Sequence, residues 1–544
     1  MGAAAGRQPR ADPRGIHARE GAVVDDIDRA GRPYRNRPAH PRPAETEMTA
    51  MPERCGRPNI IIITTDQQRY DTLGVNGNEI CRTPNFDALA ERGTRFTRAY
   101  TQNTVCIPAR ACLHTGRYTH QHGVQYMESE IDTTPILPQW ETTFMERLQG
   151  AGYYTGACGK IHMLEPKGYD WTRLSGGKGA RWRRQWGDAV GPAPLGQAYA
   201  RWLEEKRPGA YSEIYAQRQT ADYDDGTLIN VLPTEEYIDY YIGEMAREFL
   251  RDRTQKPEEP WMLWVGFCGP HGPFDPPREY AEMYDPDEMP FPDSYELALT
   301  DRPAFLNRPA KQATPEQRRL VQTRVAYYYA MMTLIDDILG NILSDLEANG
   351  QAEDTLIIST SDHGEMLGDW GRWGKGVFLE QVVRMPTIAY LPERLRSGTC
   401  PGRYDGVVET FSLSATALDY AGVSRPPEMA APSLRPILEG TGDSRGHALT
   451  EYVDNNRARG AMLLTTDRYK YAYHGTDAIG ELYDLQEDPN EFRNLSEDPA
   501  HQGTRRELSE LLLDRLLHSM EPAYTSFVRR LPEHVKNPLW GVNR

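Results

Sequence analysis

Three uninterrupted apolar runs, each ending in a cluster of ligand-capable side chains, constrain the fold of this chain most. Asn59-Ile-Ile-Ile-Ile-Thr64 enters Thr65-Asp66-Gln67-Gln68, Met262-Leu-Trp-Val-Gly-Phe267 leads to Gly269-Pro270-His271-Gly272, and Thr355-Leu-Ile-Ile-Ser-Thr360 leads to Ser361-Asp362-His363-Gly364. Runs that do not alternate in polarity read as strands covered on both faces, the habit of parallel sheets flanked by helices. Open α/β sheets build their sites beyond the carboxyl ends of their strands, and all three runs place polar groups there.

Helical segments alternate with the strands. Thr314-Pro315-Glu316-Gln317 combines an N-cap, a proline at the first helical position and a capping-box glutamine, and Gly350 supplies a stop. Between them Leu320, Val325, Tyr328, Met332, Ile335, Leu339, Ile342 and Leu346 mark one buried stripe. Beyond about Gly446 the texture changes to short strand-like runs, His447 to Tyr452, Gly460 to Thr466, Tyr469 to His474 and Glu481 to Leu485, separated by turn residues. The expected organisation is a disordered tail over 1–57, a catalytic α/β domain over 58–445 and a smaller antiparallel subdomain over 446–544. The tail is rich in Arg, Pro, Ala and Gly, lacks the apolar core of a secretory signal, and holds Met48 and Met51 as later starts.

Composition narrows the partners. A chain of 544 residues with 39% hydrophobic content buries a large core. Its net charge of -16 repels polyanions, which argues against nucleic acid. No apolar run is long enough for a bilayer, so no membrane partner is expected. Seven cysteines, odd in number and without Cys-x-x-Cys pairs, fit a reducing compartment, and the cytoplasm is the expected location.

Each candidate residue has a plain structural alternative. Asp66 and Asp362 could be helix caps. Taken with Gln67 and His363, they give two carboxylates, an amide oxygen and an imidazole on neighbouring strand ends, a shell for one hard divalent cation. Cys106 and Arg110 are four apart in Cys106-Ile-Pro-Ala-Arg110, so a helix opened by Pro108 would turn both to one face near its positive end, where an anion belongs. A cysteine-phosphatase loop needs five residues between Cys and Arg, and three are present; a buried structural cysteine is the remaining alternative. Lys160 and His162 share a face if the backbone is extended, or are a solvated pair. Lys375, in Gly368-Asp-Trp-Gly-Arg-Trp-Gly-Lys-Gly376, could lie over an anion or be an ordinary loop lysine. Lys167, Arg173, Lys178, Arg181, Arg183 and Arg184 interleave with Trp171, Trp182 and Trp186, either as a wall for an anionic or aromatic group or as a solvated loop with Trp anchors.

These motifs together resemble a known family. Cys106-x-Pro108-x-Arg110 with Thr115-Gly116-Arg117 resembles the first signature of the sulfatases, and Gly152-Tyr153-x-Thr155-Gly156-x-x-Gly159-Lys160-x-His162 the second. Asp66, Pro270-His271, Asp362-His363 and Lys375 follow in the family's order, and the stretch Glu481 to Glu491 resembles its C-terminal part. The resemblance runs from about Asn59 to about Asp498 and implies an alkaline-phosphatase-like α/β/α sandwich, with a mixed, mostly parallel sheet and a smaller C-terminal antiparallel-sheet subdomain.

For chemistry, the resemblance implies an arylsulfatase-like sulfuric ester hydrolase. Cys106 would be converted to formylglycine (3-oxoalanine) by a formylglycine-generating maturation enzyme, and the aldehyde hydrate would be the nucleophile. Asp66, Gln67, Cys106, Asp362 and His363 would hold one divalent cation. Arg110 would steady the hydrate, Lys160 and Lys375 would bind sulfuryl oxygens, His271 would be the general acid and His162 the base for release. The substrate would be a small-molecule or saccharide sulfate ester: aryl, choline or carbohydrate. Many sulfatases carry Asp-Asp where this chain has Asp66-Gln67, and Asn where it has His363. Ca2+ is the family default, and the nitrogen donor makes Mn2+ a rival. The same pairings resemble phosphonate monoester hydrolases, an alternative reading, whereas Lys160-x-His162 favours a sulfatase.

Overall fold

A computed structural model describes residues 57–125, 137–163, 166–178, 198–218, 226–453, 460–475 and 479–520. Among these, nine strands form one sheet: β1 (Asn59–Asp66), β2 (Thr94–Tyr100), β3 (Tyr154–Lys160), β4 (Trp171–Ser175), β5 (Trp261–Pro270), β6 (Thr355–Ser361), β7 (Arg384–Tyr390), β8 (Arg403–Tyr404) and β9 (Val408–Glu409). Their order is β4-β3-β5-β1-β6-β7-β2-β8, with β9 also on β2. The pairs β4-β3, β3-β5, β5-β1 and β1-β6 are parallel, while β7 runs antiparallel to both β6 and β2. The expected mixed, mostly parallel sheet is present, and its three apolar runs are neighbours at the centre.

Burial on both faces explains the sequence of these strands. Ile61 and Ile63 of β1 pack into a core with the helices Ile238–Arg253 and Pro315–Ala348, while Ile60 and Ile62 pack into a second core with the helices Cys106–Thr115 and Ser412–Tyr420. β5 divides likewise, Leu263 and Val265 to one side and Met262 and Trp264 to the other. Helix, sheet and helix layers follow directly, because each face of a strand must be covered by apolar surface.

The long helix Pro315–Ala348 begins at Thr314 with a full capping box, as the sequence predicts, and Gly350 takes a left-handed backbone just past its end. Its burial is wider than one stripe. Met331, Leu334 and Ile338 are buried along with the expected residues, whereas Leu320 is only half-buried. The middle of the helix therefore lies against both the sheet-side core and neighbouring helices.

A second sheet, β10 (His447–Val453), β11 (Gly460–Thr466), β12 (Tyr469–Tyr473) and β13 (Glu481–Asp484), is antiparallel in that order. It matches the four predicted runs to within a residue or two. The following helix, Gln502–Ser519, was not expected, because its sequence carries no strong apolar period. The described residues all fall in one compact unit. β10 meets the main sheet just ahead of Cys106: Glu451 N donates to Gln102 O at 2.9 Å and Thr450 Oγ1 to Thr101 O at 2.5 Å. The predicted 1–57 tail falls almost wholly outside the described residues. Six cysteines are described, none in a disulfide and five of them buried. No described helix is long and apolar enough to cross a membrane.

Buried imidazoles give the fold a pH dependence. Burial pushes His114 and His122 down to about 3, against about 6.5 in an unfolded chain. The unfolded state therefore binds more protons, and the stability these groups contribute above pH about 6.5 is lost as pH falls toward 3. Asp336, pushed up to about 6 chiefly by burial, acts with the opposite sign as pH rises from about 4 to 6. The urea midpoint should fall between pH 7 and pH 4.5, and His114→Gln should flatten that fall. An unchanged pH slope in the variant would show that His114 is not buried neutral.

Candidate functional site

The register of the sheet assembles the site. Thr65 lies opposite Ser361 and Asp66 opposite Pro270, so Asp66, Asp362 and His271 leave three adjacent strand ends together. Gly159 and Gly266 let β3 approach β5 closely. A Cβ at Gly159 would lie 2.0 Å from Gly266 O, and one at Gly266 would lie 2.2 Å from Lys160 O. That close approach holds Lys160 at the site. Gly374 and Gly376, both left-handed, bend the chain on either side of Lys375.

Cys106 opens the helix Cys106–Thr115 and is 1% exposed. Its sulfur lies 3.0 Å from His363 Nε2, 3.5 Å from Asp66 Oδ1 and 2.7 Å from Lys375 Nζ. Lys375 Nζ also reaches His363 Nε2 at 2.9 Å and Gln67 Oε1 at 3.1 Å. Lys160 Nζ pairs with Asp66 Oδ2. Arg110, fully buried, donates from Nε to Asp362 Oδ2 and from Nη1 to Lys160 O, both at 2.8 Å, and leaves buried Nη2 without a hydrogen-bond partner among the described residues.

Charge states follow from these contacts. Burial alone would raise Asp66, but Lys160, His271, Arg110 and Lys375 together hold it well below the usual carboxylate range. Burial opposes the charge of Lys160, and Asp66 beside it more than offsets this, raising the amine. His363 is pushed down to about 4, mainly by burial, so it is neutral near pH 7. Its Nδ1 lies 2.9 Å from Gly364 O, which can only accept, so Nδ1 carries the proton and Nε2 offers a lone pair.

The donor set fits a divalent cation. One atom from each of Asp66, Cys106, Asp362 and His363 lies within 4.8 Å of the others, and two oxygen ligands across a calcium ion stand up to about 5 Å apart. Lys375 Nζ touches three of the five expected ligands, Gln67, Cys106 and His363.

Every residue expected at the site lies near these strand ends, though at different depths. Asp66, Gln67, Cys106, Arg110, Lys160, Asp362, His363 and Lys375 form one contact network. His162 is buried two residues beyond β3 with a left-handed backbone. His271 is half-buried, with Nδ1 2.6 Å from Gly272 O. The carbonyl fixes the proton on Nδ1 and leaves Nε2 as the other ring nitrogen.

Of the two readings of the basic and aromatic segment, the described residues favour the loop anchored by Trp over the ligand wall, except that Lys178 is buried and not solvated. Lys178 is 1% exposed and held by Asp275 Oδ1 at 3.0 Å, Tyr237 and the Pro273 carbonyl. Arg173 stacks on Trp171 and pairs with Glu248, and Lys167 caps three carbonyls. Lys167, Arg173 and Lys178 brace structure through these contacts, and Trp171 packs under Arg173 and against Phe249. Arg181, Trp182, Arg183, Arg184 and Trp186 lie outside the described residues.

Two supporting residues were not anticipated. Gln67 has a left-handed backbone, φ 71°, and Tyr328 holds it there by donating to Gln67 O at 2.6 Å while accepting from Arg69 N at 2.9 Å. A non-glycine residue in that region costs about 1–3 kcal/mol, so it persists only where its surroundings fix it. Glu365 accepts from Gln67 Nε2. In the sequence Tyr328 is an ordinary member of a helix stripe, and Glu365 is signalled only by its place just behind Asp362-His363.

Comparison with known proteins gives one answer. The profile described as sulfatase matches residues 58–423, and that described as N-sulphoglucosamine sulphohydrolase, C-terminal, matches 368–517. An arylsulfatase of Clostridium perfringens is 28% identical over 480 residues, 86% of this chain and 96% of its own. A choline-sulfatase of Rhizobium meliloti is 26% identical over 484 residues, 87% of this chain and 89% of its own. The crystal structure of the phosphonate monoester hydrolase of Agrobacterium radiobacter superposes with a TM-score of 0.67 at 24% identity, over 85% of this chain and 96% of that one. It shares the alkaline-phosphatase-like fold.

Proposed function

We propose, from the premise that the chain belongs to the sulfatase family, that it hydrolyses a sulfate monoester through an aldehyde formed at Cys106 and one divalent cation. Hydrolysis of sulfate esters is the activity of that family; the nucleophile and the cation are the finer reading. The observation that carries it is the enclosure of the Cys106 sulfur by Asp66, His363 and Lys375. A thiol with no metal or anion to serve has no need of a neutral imidazole, a carboxylate and an ammonium.

In this reading the Cys106 sulfur marks where the hydroxyls of the formylglycine hydrate would stand. Asp66, Gln67, Asp362 and His363 would hold the cation with position 106. When bound, the cation supplies Lewis acidity to a sulfate oxygen and to the hydroxyl at 106. The chain's own groups do the rest. Arg110 Nη2, free of other partners among the described residues, orients the hydrate, and Lys160 and Lys375 neutralise the sulfuryl oxygens as the alcohol departs. His271, as the imidazolium with its Nδ1 proton held by the Gly272 carbonyl, gives its Nε2 proton to the leaving oxygen, and His162 takes the proton of the second hydroxyl as sulfate is expelled. Ca2+ is the first choice, and the neutral imidazole favours Mn2+ as its rival.

The natural substrate is proposed as a small-molecule or saccharide sulfate ester, with a maturation enzyme as partner. The absence of disulfides among the described cysteines supports the cytoplasm. The divisions 1–57, 58–445 and 446–544 stand as the proposed domain organisation.

Mass measurement of the peptide holding Cys106, in protein from its native host, should find the aldehyde; an intact thiol throughout would sink the nucleophile. The second reading, phosphonate monoester or phosphodiester hydrolysis, is favoured by the Gln67 and His363 donors. Paired aryl sulfate and aryl phosphonate substrates separate the two. A higher kcat/KM for the sulfate is expected, and a clear preference for the phosphonate would reverse the assignment.

A further inference from the structure

A glutamine ligand poses a problem that an aspartate does not. Only one end of its amide can face a cation, and the two ends have the same shape. We propose that Glu365 is the positioning residue that fixes the amide of Gln67 with its oxygen toward the cation site. This rests on the divalent-cation reading above.

Glu365 is 1% exposed. One carboxylate oxygen accepts from Gln67 Nε2, and the other accepts the backbone N–H groups of Leu367 at 3.1 Å and Gly374 at 2.5 Å. On the opposite end, Lys375 Nζ donates to Gln67 Oε1 at 3.1 Å. A carboxylate can only accept and an ammonium can only donate, so both neighbours impose the same amide orientation. Gln67 N donates to Asp362 Oδ1 at 3.0 Å, and Tyr328 clamps Gln67 O, so the backbone of Gln67 is fixed independently. The side-chain amide is what Glu365 decides.

The same carboxylate has a second consequence. Leu367 directly precedes the glycine-rich loop, and Gly374 lies within it, directly before Lys375. Drawing both N–H groups onto one oxygen closes the loop and sets where Lys375 begins. Glu365 thus places the oxygen of Gln67 and the residue before Lys375 from one point.

The test is a double-mutant cycle on cation binding by the full chain, stripped with chelator and titrated with Mn2+, and with Ca2+ in parallel, by calorimetry. Removing an outer partner of a metal ligand weakens affinity about 10- to 100-fold, and Glu365→Ala is expected to lose that much. In a Gln67→Ala background the amide is gone, and Glu365→Ala should then change affinity little. Should Glu365→Ala fail to fold, Glu365→Gln replaces it in the same cycle, because its own amide cannot accept at both ends. An equal loss in both backgrounds would show that Glu365 merely supports the loop, and no loss in either would also overturn the proposal. A wild-type chain that binds neither ion would overturn the cation reading and this inference with it.

Discussion

Cys106→Ser is expected to yield a protein that releases no more than one equivalent of alcohol and then stops. Serine keeps an oxygen nucleophile where the Cys106 sulfur stands, ringed by Asp66, His363 and Lys375, but it offers only one hydroxyl on its carbon. Attack on a sulfate ester would leave a serine sulfate with no neighbouring hydroxyl to expel the sulfate and re-form a carbonyl. Loss of a catalytic nucleophile costs on the order of 10⁶ in kcat elsewhere, and a similar fall in steady-state turnover is expected here. A chromogenic aryl sulfate would show the burst in Cys106→Ser and none in Cys106→Ala, and mass analysis would find one added sulfuryl group on the serine peptide. Sustained turnover by the serine variant would refute the two-hydroxyl argument.

Much of this arrangement was legible from the chain because it depends on local rules. A strand buried on both faces must be apolar throughout, so β1, β5 and β6 announce themselves, and their carboxyl ends mark the site. The family motifs then name the residues that meet there. What was not legible depends on long-range contact. Tyr328 supports Gln67 from 261 positions away, and nothing in a helix stripe distinguishes it from a core tyrosine. Lys178 reads as a surface cation until Asp275 is brought beside it by folding. The helix Gln502–Ser519 is held at its far end by Tyr118, His120 and Gln121, which contact Arg515 and Ser519. Those contacts secure a helix whose own sequence has little amphipathic pattern.

The ion pair of Arg110 with Asp362 should show the largest stability effect of any single site residue. Both side chains are fully buried. Arg110→Ala would leave the Asp362 carboxylate, among the described residues, with the backbone N–H groups of Gln67 and His363 as its hydrogen-bond donors, and would also leave the Lys160 carbonyl without its Arg110 donor. Removing one partner of a buried pair costs about 3–5 kcal/mol, and losing a preorganised donor costs a further 10²- to 10³-fold in kcat. Arg110→Lys should recover little, since one ammonium cannot replace a planar fork that reaches Asp362 and Lys160 together. Adding Asp362→Ala to Arg110→Ala should restore part of the stability, because no buried charge is then left unpaired. The denaturant midpoint, read with and without a divalent ion, gives the sharper test. If Asp362 is a cation ligand, saturating Ca2+ or Mn2+ offers its carboxylate a second positive partner, and the loss in Arg110→Ala should be smaller with the ion than in chelator. Equal losses in the two conditions would mean that Arg110 alone satisfies Asp362 and that the cation, if bound, is held by other groups.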